Sequence, residues 1–135
     1  MINTKRMLMA FAAVLVASWM YEFTVFGMLL HDFHAQHSRW LKPEDQLPIL
    51  RMFLTLAFNS ALVTLLYALF ARAGAASRVS TGIVYGVLLG FIAGWVPQAG
   101  NKLLFVDYPF YPTWAYAIFA EYVLAGIVLG LVYRE

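Results

Sequence analysis

MLMAFAAVLVASWMYEFTVFGMLLHDFHAQ, Met7–Gln36, is the stretch whose reading decides the fold. From Met7 to Leu30 it runs through 24 residues with a single formal charge, Glu22. A helix rising ~1.5 Å per residue crosses a bilayer core of ~30 Å in about 20 apolar residues. The stretch therefore predicts a membrane-spanning helix. Glu22 stands roughly two thirds of the way along it, and an ionisable group at that depth is costly and marks a candidate functional site. Beyond Leu30 the character changes to the polar string His31-Asp32-Phe33-His34-Ala35-Gln36-His37.

The rest of the chain agrees with this reading. Its 135 residues are 63% hydrophobic and 12% charged, with a mean hydropathy of +0.74, whereas soluble domains carry about 25% charged residues. The net charge of +2 is spread over short polar segments. No Lys/Arg cluster tracks a phosphate backbone, so nucleic acid is excluded and the lipid bilayer is the expected partner. Without cysteine the chain has no disulfide, thiolate metal site or thiol relay. Lys5 and Arg6 ahead of an apolar run, with Val16-Ala17-Ser18 as a cleavage-like site, imitate a secretory signal. The run continues twelve residues past Ser18, too far for a signal core, and is read as an uncleaved first span.

Apolar runs at 7–30, 48–71, 79–97 and 112–133 are each near spanning length. In lipid the backbone must satisfy its own hydrogen bonds, which makes these runs helices. Pro48 and Pro112 open the second and fourth. Ser77 or Ser80 is the expected cap of the third, and Pro97 with Gly100-Asn101 its expected stop. Connections of about 17, 7 and 14 residues predict one all-α domain over 1–135, a four-helix membrane bundle running up-down-up-down. Lys5, Arg6, Arg72, Arg78 and Arg134 fall on one side, and Arg39, Lys42, Arg51 and Lys102 on the other. This small excess places the termini in the cytoplasm. Trp40, Trp95 and Trp114 gather on the far side with Tyr108, Phe110 and Tyr111 as an interfacial belt.

Three spans each carry one strong polar group: Glu22 in the first, Asn59 in the second and Glu121 in the fourth. Helical spacing puts Glu22 on a face with Ser18, Val25, Phe26 and Leu29, Glu121 with Ala117, Leu124 and Ala125, and Asn59 with Thr55. Two carboxylates close together in a low dielectric do not both ionise. Glu22 and Glu121 facing each other, with Asn59 nearby, would form a proton- or cation-responsive pair. The bland alternative is interhelical hydrogen bonding at roughly 0.6–2 kcal/mol per contact. Residues 57–72 also align with 119–134, Asn59 falling on Glu121 and Arg72 on Arg134; a true duplication would be a parallel two-helix repeat.

Gly82, Gly86, Gly90 and Gly94 make an i, i+4 ladder along the third span, and Gly126-x-x-x-Gly130 continues it in the fourth. Small residues let helix backbones approach where lipid supplies no hydrophobic drive between helices. The ladder drifts about 40° per step, which suits a right-handed crossing onto the fourth span or, as the alternative, onto another subunit.

His31, His34 and His37 recur every three residues beside Asp32, a ligand set for Zn or Cu if the first helix continues. All come from one segment at the membrane edge, so no cofactor is expected. No other span contains histidine, which excludes haem held between facing helices, and three histidines are too few for a membrane di-iron centre. The absence of a Ser/His/Asp order or a phosphate-cradling loop disfavours an enzyme.

The segments FTVFGMLLHDFH at 23–34, LLYALFAR at 65–72 and EYVLAGIVLGLVYR at 121–134, with the third-span glycines, resemble a group of small bacterial four-span membrane proteins of unknown function. The resemblance implies a four-helix fold in a bacterial inner membrane. The small multidrug exporters offer an analogy in span number and a first-span Glu, but Glu22 sits deeper than theirs and Glu121 has no counterpart there. The leading expectation is a structural or accessory subunit, or a homo-oligomer, packed through glycine-rich faces within a larger membrane complex. A transporter using Glu22 and Glu121 is the second reading, and a metal carrier using the histidine string the third.

Overall fold

The computed structural model describes residues 2–73 and 78–133, which form helices and turns without strands. Four helices are long and apolar enough to cross a bilayer: Thr4–Leu29, Ile49–Arg72, Val79–Leu104 and Thr113–Val132. The first begins at Asn3, whose Oδ1 accepts from the Arg6 N–H at 3.1 Å, a side-chain cap for an otherwise orphaned donor. Pro48 and Pro112 each stand one residue ahead of their helices. Ser80 lies inside the third helix rather than capping it, and Arg78 occupies the cap position without a side-chain bond. Ser77 and Arg134 lie outside the described residues.

The third span does not stop at Pro97 but runs on to Leu104. Gly90–Trp95 is wound as a π-helix, with the Val96 N–H reaching back five residues to the Phe91 carbonyl. Proline brings no N–H and a ring that crowds the preceding turn; a widened turn just before it relieves that crowding, which is how spanning helices tolerate proline. The first span is widened in the same way over Phe23–Leu29, immediately after Glu22. The extra residue per turn rotates the end of the helix, so Leu29 leaves the predicted Glu22 face and stands 72% exposed on the outer surface.

The spans pack as an up-down-up-down bundle. The fourth lies along the third and also against the first, the first packs on the second, and the second and third scarcely meet. Their open seam is bridged by Tyr85, whose hydroxyl donates to the Val63 carbonyl at 2.6 Å and whose ring meets Tyr67 edge-on at 5.2 Å. Tyr21 does the same between the first and fourth spans, donating to the Ala117 carbonyl at 2.6 Å. The glycine ladder meets the fourth span of its own chain. A Cβ on Gly82 would strike the Gly126 carbonyl oxygen, one on Gly86 would lie 2.6 Å from the Tyr122 oxygen, and one on Gly130 2.7 Å from that of Arg78. Such closeness is available only to glycine.

Apolar packing is concentrated at the end holding the N-terminus, around Ala10, Val14, Tyr67, Leu129 and Tyr133. The aligned halves share their buried register there: Val63 with Ala125, Tyr67 with Leu129 and Ala71 with Tyr133. At the opposite end the connection 105–112 folds back as a cap. The Tyr108 hydroxyl donates to Gln98 Oε1 at 2.5 Å, and Phe110 stacks on Trp114 at 4.1 Å. Asp107 takes the left-handed region, φ 57°, which a short polar side chain tolerates.

Candidate functional site

The buried polar side chains among the described residues are Ser18, Ser60, Thr64 and Glu121. Three of them, Ser18, Ser60 and Glu121, line one small cavity midway along the bundle, together with Asn59, Tyr122 and the aliphatic walls of Val14, Val63 and Ala125. Ser18 reaches it from the first span, Asn59 and Ser60 from the second, and Glu121 and Tyr122 from the fourth. Glu22, one turn from Ser18, is half-buried, and its carboxyl hydrogen-bonds the carboxyl of Glu121. Two carboxyls bond to each other only if at least one carries a proton, because an ionised carboxylate is an acceptor alone.

The surrounding bonds hold this pair in place. Tyr21, beside Glu22, is tied to the fourth span one turn before Glu121. The Tyr122 hydroxyl donates weakly to Asn59 Oδ1 at 3.4 Å. Thr64 turns its hydroxyl onto the Ser60 carbonyl at 2.7 Å, whereas Ser60 Oγ is buried without a hydrogen-bond partner. Glu22, Asn59 and Glu121, singled out in sequence on three separate spans, are thus brought to one place. Ser60, Tyr21 and Tyr122 are members of the site that sequence reasoning missed. Their only signal is adjacency: each sits beside one of the three polar residues in an apolar run.

The candidate metal set His31, His34, His37 and Asp32 is not gathered into a ligand cage, and no group of three or more His, Asp or Glu among the described residues converges to hold a metal. The first helix breaks at Leu30, a separate short helix covers His31–Gln36, and His37 lies beyond it. Two of the rings are then occupied separately. The His37 Nδ1–H donates to the Phe33 carbonyl at 2.8 Å. His34 Nε2 accepts from the Trp114 indole N–H at 3.1 Å, and its other nitrogen donates to the Phe26 carbonyl. His34 is therefore a neutral clamp between the widened end of the first span and the start of the fourth.

Burial holds the His34 imidazole below its ordinary value of 6.5, with smaller contributions of both signs from the Phe26 bond and from His31 and His37. A depressed histidine disfavours the charged form in the fold, so the unfolded chain takes up the proton first. The clamp's stabilisation is complete above about 6.5 and is lost as pH falls below it. Thermal stability in micelles is expected to drop between about pH 8 and pH 5, and His34→Phe to flatten that drop. An unchanged slope in the variant would assign the pH dependence elsewhere.

Fold and site together define a helical membrane protein with a paired-carboxyl centre between its spans. No family model matches the chain, and neither a curated protein nor a solved structure does.

Proposed function

We propose that this is a small transporter of a bacterial inner membrane, in which the Glu22–Glu121 pair takes up and releases a proton as its coupling step. The observation that carries it is the hydrogen bond between two carboxyls on different spans at membrane depth, beside a polar cavity. Packing alone has no need of a second ionisable group, because an amide or hydroxyl would supply the bond at lower desolvation cost. The glycine ladder packs the third span on the fourth of the same chain, so it does not itself favour the accessory-subunit reading.

Reconstitution into vesicles loaded with a pH-indicating dye tests the proposal. With sodium or potassium salts present, wild-type vesicles should dissipate a pH gradient faster than lipid alone, and folded Glu22→Gln and Glu121→Gln proteins should not. Rates equal to lipid alone in the wild type, or unchanged in both variants, would overturn it.

The five-to-four basic count supports termini in the cytoplasm, with the histidine string and the 105–112 cap on the outer face. Reporter fusions at Glu135 and after Lys42 should be active inside and outside respectively. A Glu135 fusion active only outside would reverse the orientation.

A further inference from the structure

We propose that the cavity beside the carboxyl pair binds one dehydrated alkali cation, sodium or lithium, in competition with a proton. This rests on the transporter reading and names the ion that the proton is exchanged against. The polar residues lining the cavity are Ser18, Asn59, Ser60, Glu121 and Tyr122, each with a side-chain oxygen, and no histidine is among them. An all-oxygen donor set suits hard cations and not zinc or copper. Its water-accessible volume is about 10 Å³, close to what one water-sized guest requires. That excludes a hydrated ion and any organic cation. Ser60 is 1% exposed and its Oγ lacks a partner. A buried hydroxyl in that state is destabilising until something meets it.

Charge selects the valence. With two protons the pair is neutral; with one it carries a single negative charge that the membrane interior penalises. A monovalent cation on the Glu121 carboxylate cancels that charge while the remaining proton keeps the two carboxyls bonded. A divalent ion would require both to ionise, which removes the proton that bonds one carboxyl to the other. In the exchange one carboxyl O–H bond breaks, the proton leaves to water, and an ion–oxygen contact forms, so net charge is conserved. The groups facing the pair are Tyr21 of the first span, Tyr122 of the fourth and the uncharged Asn59 and Ser60 of the second; the third contributes Tyr85, next to Tyr122. Among the described residues, no lysine or arginine stands with them to act as a resident counter-ion.

Infrared difference spectroscopy of the full chain in micelles, with a pH-indicating dye in weak buffer, reads both partners. Sodium or lithium chloride at about pH 7 should reduce the protonated-carboxyl band and release up to one proton per chain, and choline chloride should do neither. Ser60→Ala should raise the sodium concentration for half effect by roughly tenfold. A band that titrates with pH yet ignores sodium and lithium would mean that the cavity holds a water only, and the cation proposal falls while the proton reading stands. A band that responds to neither would overturn the transporter reading itself.

Discussion

Gly86→Leu is expected to abolish the folded bundle, and Gly86→Ala to weaken it measurably. A Cβ at Gly86 would lie 2.6 Å from the Tyr122 carbonyl oxygen and 2.9 Å from the Val123 Cα. Both are backbone atoms of the facing helix, so no side chain can swing aside. Overpacking in a well-filled core costs about 1–3 kcal/mol and sometimes more; the alanine methyl alone should reach that range and leucine should exceed it. Separating the third and fourth spans also pulls Glu121 from its neighbours, so the damage spreads to the cavity. Gly100 is the control, since nothing lies within 4 Å of a Cβ there. In the turns before Leu104, Gly100→Ala should be neutral or gain up to ~1 kcal/mol from helix propensity. Unfolding in mixed micelles measures all three. A Gly86→Leu protein as stable as wild type would show that the two helices do not touch along this ladder.

Glu22→Ala is expected to cost about 1–3 kcal/mol, because it leaves the buried carboxyl of Glu121 without its partner. Glu22→Gln keeps the length and a donor, and should cost much less. The larger effect is in coupling. If the two carboxyls bond only each other, Glu22→Ala with Glu121→Ala should cost less than the two single changes added, since the double variant leaves no orphan. Interhelical bonds in membranes average about 0.6 kcal/mol of coupling and reach about 1.7; a bond between two desolvated carboxyls belongs at the upper end. Strict additivity would mean that Glu22 and Glu121 act independently, and would leave the paired centre without its basis.

Much of the architecture is legible in the sequence. Met7–Leu30 reads as a span because bilayer thickness dictates length and a backbone in lipid must bond to itself. Pro48 and Pro112 mark helix starts for equally local reasons. Pro97 reads as a stop because proline breaks helices in water, where the released carbonyls have somewhere to go. In the membrane the Gly90–Trp95 turn widens instead, and that adjustment depends on the glycines and on the fourth span behind them. The histidine string reads as a continuous stripe because its spacing is helical, while the break at Leu30 follows from the packing of His34 against Phe26 and Trp114.

By itself, then, the sequence determined four spans, their alternation, the glycine stripe and the existence of polar groups at depth. All of these come from hydropathy and the 3.6-residue period within single helices. Only the tertiary structure decided that Glu22 meets Glu121, that Ser60 is left without a partner beside them, and that the glycine ladder is used inside the chain. Period fixes which residues share a face. How far each helix is rotated and which neighbour it faces is set by close backbone contact at Gly82–Gly126 and by the widened turns after Glu22 and Leu89, which no periodicity encodes.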